Sequence, residues 1–267
     1  MYDNCNLCVT FFSISDAELV DPLTQPDFFN VRSLVSMPEM VEAGVHLGHK
    51  EGTRNDYMRR YIFGNRLGVD ILDLEQTQEL LGDALNVAAQ IAFRKGIIMF
   101  VSRSRQTLPY VEQAAQAVGE YSHCRAFHVG DFTQATQLWG MEMRLPDLVI
   151  YFNINNNSLG LNPIVTECAK VNIPSIGIVD SNCDPRLISY PVPGNDDTPS
   201  AVRLYCRLFQ EAIRRGKDLR KKYEATLAEQ EKLAQQIAEQ EKLAREKLAS
   251  SGSDSEQKRV MDSAKWQ

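Results

Sequence analysis

No segment of the chain approaches the roughly 20 consecutive apolar residues that a bilayer-spanning helix needs, so the sequence offers no membrane span. Catalytic signatures are missing too. There is no G-x-S-x-G, H-E-x-x-H or P-loop pattern, which removes the commonest serine-hydrolase, zinc-peptidase and nucleotide-phosphate sites. The turn after the apolar run Ile97–Val101 reads Ser102-Arg103-Ser104-Arg105 and holds no glycine. A dinucleotide cofactor needs glycines there, so that backbone can approach a pyrophosphate. Cys5 and Cys8 have CxxC spacing but no second pair at matching spacing. A zinc site of the paired kind is therefore not expected, and Cys124, Cys168, Cys183 and Cys206 read as small buried hydrophobes. Residues 1–31 contain five acids and neither Lys nor Arg. A mitochondrial transit peptide is Arg-rich and acid-poor, so no import presequence is visible.

The 267 residues carry a net charge of −6, which argues against a nucleic-acid partner. The acids are concentrated in the flanks, however, and residues 32–222 carry a net charge of +1. Any RNA contact must rest on local clusters. There are three: Lys50, Arg54, Arg59, Arg60 and Arg66; then Arg94, Lys95, Arg103 and Arg105; then Arg214, Arg215, Lys217, Arg220, Lys221 and Lys222. The first lies on glycine-containing loops with His46 and His49, and is interleaved with Tyr57, Tyr61 and Phe63. Cations neutralise phosphates and aromatic rings stack on unpaired bases. A solvated charged face satisfies the same spacing.

The pattern of elements predicts an α/β protein. Ser36-x-x-Glu39 reads as a capping box opening a helix that ends near Gly44, followed by a polar loop. Tyr61–Phe63 and Val69–Leu72 read as a hairpin about Asn65–Gly68. Asp73-x-x-Gln76 caps a helix reaching about Arg94. Apolar strands at Ile97–Val101, Leu148–Phe152 and Ser175–Val179, and a further strand at Arg125–Val129, alternate with helices near 105–119, 133–139 and 161–171. Tyr190–Pro193 suits only a sheet edge, because its prolines cannot donate to a ladder. Asp197/Thr198–Pro199 opens a helix to about Lys217. The sum is a Rossmann-like, flavodoxin-like doubly wound parallel sheet. The expected divisions are an arm at 1–35 docking through Phe28–Phe29, a domain at 36–218, a helical tail at 219–249 and a disordered end at 250–267. The tail repeats Ala-Glu-Gln-Glu-Lys-Leu-Ala at 228–234 and 238–244.

Several segments resemble a known family. Ala43-Gly44-Val45-His46-Leu47-Gly48-His49-Lys50, Tyr61-Ile62-Phe63-Gly64 and Ile71–Thr77 resemble the N-terminal signature of the ribosomal protein two family of the small subunit. Leu145-Pro146-Asp147, Val179–Pro185 and Tyr190–Asp197 resemble its later signatures in order. Arg94–Ile98, Pro193–Pro199 and Asp27-Phe28-Phe29 resemble animal mitochondrial members. The coiled-coil insertion of bacterial members before Leu145 is missing, and Ala126, His128 and Gln134 depart from the bacterial pattern. The resemblance implies a structural, non-enzymatic protein of the small ribosomal subunit in the mitochondrial matrix. It would touch ribosomal RNA and neighbouring ribosomal proteins, with no cofactor, metal, membrane or small-molecule substrate. The RNA-contacting candidates are His46, His49, Lys50, Arg54, Arg59, Arg60, Arg66, Arg103, Arg105, Arg214, Arg215 and Lys217. Two readings stand beside it. One is a metal-dependent enzyme using His46, His49 and the loop aspartates 70, 73, 180, 184, 196 and 197. The other is an adhesion or scaffold role for the tail.

Overall fold

A computed structural model of the chain describes residues 25–140, 143–156 and 160–264. Most of the expected arm, with Cys5 and Cys8, lies outside the described residues. Its last part does dock through its aromatics. Phe29 is buried, stacks edge-on against Phe28 and lies 5.9 Å from the ring of Phe93.

The first elements form a small antiparallel sheet. Helix α1 (Met37–Ala43) begins after Ser36 and stops at Gly44, whose φ of 78° terminates it. The Ser36 side chain makes no capping hydrogen bond, so the expected capping box does not form; Pro38 sits in the first turn instead. Strand β1 (Leu47–Lys50) occupies what reads as a polar loop. Leu-Gly-His-Lys has no strand periodicity. It is extended because strand β3 (Val69–Leu72) offers an unpaired edge. Strands β2 (Ile62–Arg66) and β3 (Val69–Leu72) are the expected hairpin. Leu67 and Gly68 both have positive φ, as the tight turn matched to strand twist requires. The sheet order is β1-β3-β2.

Helix α2 (Leu74–Phe93) is capped as its sequence predicts. Asp73 accepts the Glu75 N–H at 3.0 Å, and Gln76 Nε2 donates back to Asp73 at 2.9 Å. The chain then alternates. It runs through β4 (Ile98–Val101), α3 (Leu108–Val118), β5 (Tyr121–His123), α4 (Ala135–Trp139) and β6 (Leu148–Tyr151). A two-residue pair, β7 (Asn155–Asn156) and β8 (Gly160–Leu161), leads to α5 (Pro163–Val171), β9 (Ser175–Val179) and β10 (Tyr190–Pro193). The five-stranded sheet has the order β10-β9-β6-β4-β5 and every pairing is parallel. Counted along the chain, that order is the flavodoxin-like one, with its switch point between β4 and β6. Tyr190–Pro193 takes the edge, as its prolines demand.

One strand is misplaced by sequence reasoning. The edge beside β4 is taken by Tyr121–His123, not Arg125–Val129. Gly119 ends α3 with a φ of 70°, and the chain pairs with β4 at once. The apolar signal at 125–129 has other causes. Phe127 stacks against His123 and Phe132, while Val129 stands 78% exposed.

The sheet alternates its side chains between two layers. Val101, Val149, Tyr151 and Val179 pack with Ile164, Val165 and Cys168 of α5, and with Met58 and Tyr61 from the short 3-10 helix Asp56–Tyr61. Phe100 and Phe152 point to the other layer, where Phe152 lies 6.0 Å from Phe209. Phe209 belongs to α6 (Pro199–Ala264), which starts in the expected cap-then-proline order. A Cβ on Gly216 would lie 2.5 Å from the Ala89 carbonyl, so α6 and α2 meet backbone to backbone there. The one helix α6 spans the expected core helix, the repeated tail and the stretch from Ser250 that composition assigns to disorder. The chain divides into two compact units between Arg220 and Lys221.

Candidate nucleic-acid interface

The loops at the carboxyl end of the parallel sheet meet β1. The His49 backbone N–H donates to Ser181 Oγ at 2.8 Å. Gly48 permits this approach, since a Cβ there would lie 3.0 Å from Ser181 Oγ and 3.1 Å from the Asp70 carbonyl. The His49 ring then reaches two carboxylates. Nδ1 lies 3.1 Å from Asp180 and Nε2 lies 3.2 Å from Asp197. An imidazole that donates from both nitrogens is an imidazolium. The hydrogen bond to Asp180 raises the His49 pKa to about 9; burial opposes the rise, and the charges of Asp180, Asp197 and Asp196 add to it. Behind the ring, burial holds the Asp196 carboxyl well above the usual range, reinforced by the charges of Asp180 and Asp197. Asn153 Nδ2 donates to Asp196 at 3.0 Å. The cluster thus fastens β1 to the ends of β6 and β9 and to the start of α6.

A second charged pair lies under the small sheet. Asp70 on β3 is 0% exposed. Arg54 Nε donates to its Oδ2 at 2.7 Å, Arg54 Nη2 binds its Oδ1, and Asn65 Nδ2 donates to that oxygen at 2.9 Å. The Arg54 hydrogen bond holds the Asp70 pKa below the ordinary carboxylate value.

The structure therefore divides the twelve candidates. His49 and Arg54 are engaged inside the domain. So is Arg215, which donates to the Asn30 carbonyl and to Glu211. Lys217 donates to the Val118 carbonyl at 2.7 Å and lies 2.5 Å from Glu120. His46 is half-buried; its Nδ1 has no hydrogen-bond partner among the described residues. Lys50, Arg59, Arg60, Arg66, Arg105 and Arg214 are exposed, and Arg103 is half-buried in the turn after β4. Arg59 pairs with Asp56 at 3.0 Å, and Arg60 lies over the Tyr61 ring at 4.6 Å. Sequence reasoning overlooks Ser181, Asn153 and Arg186. The last stacks on Tyr57 at 3.8 Å and donates to its hydroxyl at 3.0 Å. No local pattern announces a contact between residues 129 positions apart.

The loop aspartates have structural partners. Asp73 caps α2, and Asp184 caps the turn at Arg186. Asp70 binds Arg54, while Asp180 and Asp197 hold His49. Among the described residues, no group of three or more His, Cys, Asp and Glu side chains is arranged to hold a metal ion. The metal-enzyme reading finds no support. At the switch point, the turn after β4 is filled by Ser102 and Thr107, whose hydroxyls lie 3.1 Å apart.

The parallel sheet is flavodoxin-like in strand order, and charge pairs from the chain's own residues close its carboxyl edge. The chain's lineage follows from comparison. The family described as ribosomal protein S2 matches residues 40–140 and 133–216. The chain is 52% identical over 207 residues to the small ribosomal subunit protein uS2m of Bos taurus, covering 78% of this chain and 71% of the relative. Against the small ribosomal subunit protein uS2 of Rhizobium etli it is 30% identical over 229 residues, covering 70% and 86%. Against that of Rickettsia akari the figures are 29% over 228 residues, covering 69% and 76%. The chain belongs to the ribosomal protein S2 family, in its mitochondrial form, and is a structural protein rather than an enzyme.

Proposed function

We propose that this chain is a structural constituent of the small subunit of the mitochondrial ribosome. It is bound there in the matrix and contacts ribosomal RNA and neighbouring ribosomal proteins. The similarity to the bovine protein over 78% of the chain carries this reading. The exposed cations Lys50, Arg59, Arg60, Arg66, Arg105 and Arg214, with Arg103 beside them, supply the charge for phosphate contact. The engaged residues His49, Arg54, Arg215 and Lys217 shape the surface from within. His46 is half-buried, between the two groups. The segment beyond 219 lies past the family match, which ends at 216.

Gradient sedimentation of a mitochondrial lysate tests the reading. The protein should migrate with the small subunit and leave it when the subunit's RNA is digested. Migration in free fractions only would overturn it.

A further inference from the structure

Three aromatic residues accompany the first basic cluster, and the structure separates them. Tyr61 is buried in the core. Tyr57 has its face covered by Arg186 at 3.8 Å. Phe63 is 81% exposed.

Its position follows from strand register. Ile62 pairs with Leu72 and Gly64 with Ile71, which leaves Phe63 as the extra residue of a β-bulge. A bulge bends its strand and re-aims a side chain. Directly paired residues share a face of the sheet. Leu47 pairs with Ile71, Lys50 with Val69 and Arg66 with Val69, so these lie on one face. Asp70 and Leu72 are buried on the opposite face, and the Asp70 carboxylate is turned inward onto Arg54. The outer face therefore sets Lys50 and Arg66 on either side of Val69, and the exposed Phe63 stands further along the same sheet at the bulge. No strand residue on that face is acidic. Gly64 keeps the surface open, with no atom within 4 Å of where its Cβ would stand.

We propose that the outer face of the β1-β3-β2 sheet is a platform for unpaired RNA, with Phe63 stacking on a base and Lys50 and Arg66 holding the adjoining phosphates. The inference rests on the RNA-contacting reading above and specifies its ligand as single-stranded RNA. Stacking tolerates any base because every base has a π-face, while cations on both sides track the backbone. A duplex keeps its bases stacked internally and gives Phe63 nothing to meet. An apolar partner protein is the competing occupant. Two cations in register with no acid between them favour a polyanion.

The test uses the full-length chain with two probes, a short single-stranded oligouridine and a short RNA duplex, titrated at several salt concentrations. Phe63→Ala should weaken binding of the single strand about tenfold and leave duplex binding unchanged. Phe63→Trp should retain it, and Phe63→Leu should not. Lys50→Gln and Arg66→Gln should each lower the salt dependence for the single strand by about one released ion. Full affinity in both Phe63→Ala and Phe63→Leu overturns the platform. So does full affinity in Phe63→Leu alone, which shows that ring stacking is not what binds the strand. Equal losses for both probes overturn it as well. A wild-type chain that binds neither probe yet migrates with the small subunit overturns the platform and leaves the ribosomal reading standing. Failure in both assays removes both.

Discussion

Arg54 holds Asp70 with two hydrogen bonds across 16 residues of chain, and the carboxylate has no exposure to solvent. The pair ties the loop after β1 to the inner side of β3. Removing one partner of such a pair leaves a buried charge uncompensated.

Arg54→Ala should therefore lower the denaturant midpoint at neutral pH, and Arg54→Lys should not restore it, because an ammonium cannot make the two-pronged contact. The pH dependence has a defined sign. Asp70 is depressed below its ordinary 3.8, so its contribution is present above that value and lost as pH falls through the lower folded pKa. Acid unfolding curves of wild type and variant should converge below this window.

His49 gives the opposite limb. Its folded pKa of about 9 exceeds the unfolded 6.5. The stability it contributes is full below pH 6.5 and is lost as pH rises through about 9. Thermal midpoints of the wild type should fall across that interval, and those of His49→Gln should fall less. Parallel curves would remove the imidazolium clamp between Asp180 and Asp197.

Two glycines should respond differently to alanine. A Cβ on Gly194 would lie 2.1 Å from the buried Tyr205 hydroxyl. Gly194→Ala should cost about 1–3 kcal/mol of unfolding free energy, the usual penalty of overpacking. Gly64→Ala meets nothing within 4 Å and should leave stability within about 0.5 kcal/mol of wild type. Urea titration of both variants reads the difference.

The cation clusters should separate by salt dependence. Arg105→Gln removes an exposed charge and should lower the salt slope of RNA binding by about one. Lys217→Gln removes a contact to Glu120 and the Val118 carbonyl, so it should lower thermal stability and leave the slope unchanged.

What was legible in the sequence was local. The Asp73–Gln76 cap, the hairpin, the three buried parallel strands and the proline-bearing edge strand all declare themselves within a few residues. Arg125–Val129 reads as a strand because Phe127 and Val129 are strand-favouring residues, yet one fills an aromatic cluster and the other faces solvent. Strand β1 was invisible because its extension depends on β3 and on Ser181, 132 positions downstream of His49. Charge type told nothing of direction. Arg66 and Lys217 are alike in a sequence, and only the fold turns one outward and the other onto a carboxylate.

The His49–Ser181 contact also orders events during synthesis. The loop that secures β1 is made long after the strand itself, and long-range closures of this kind slow folding. A nascent chain that has emerged only as far as the hairpin lacks the residues that fix its first strand. The small sheet is thus finished only when the parallel sheet has closed. Truncated chains, lacking Asp180, Ser181 and Asp197, would leave β1 without the partners that hold His49 in place.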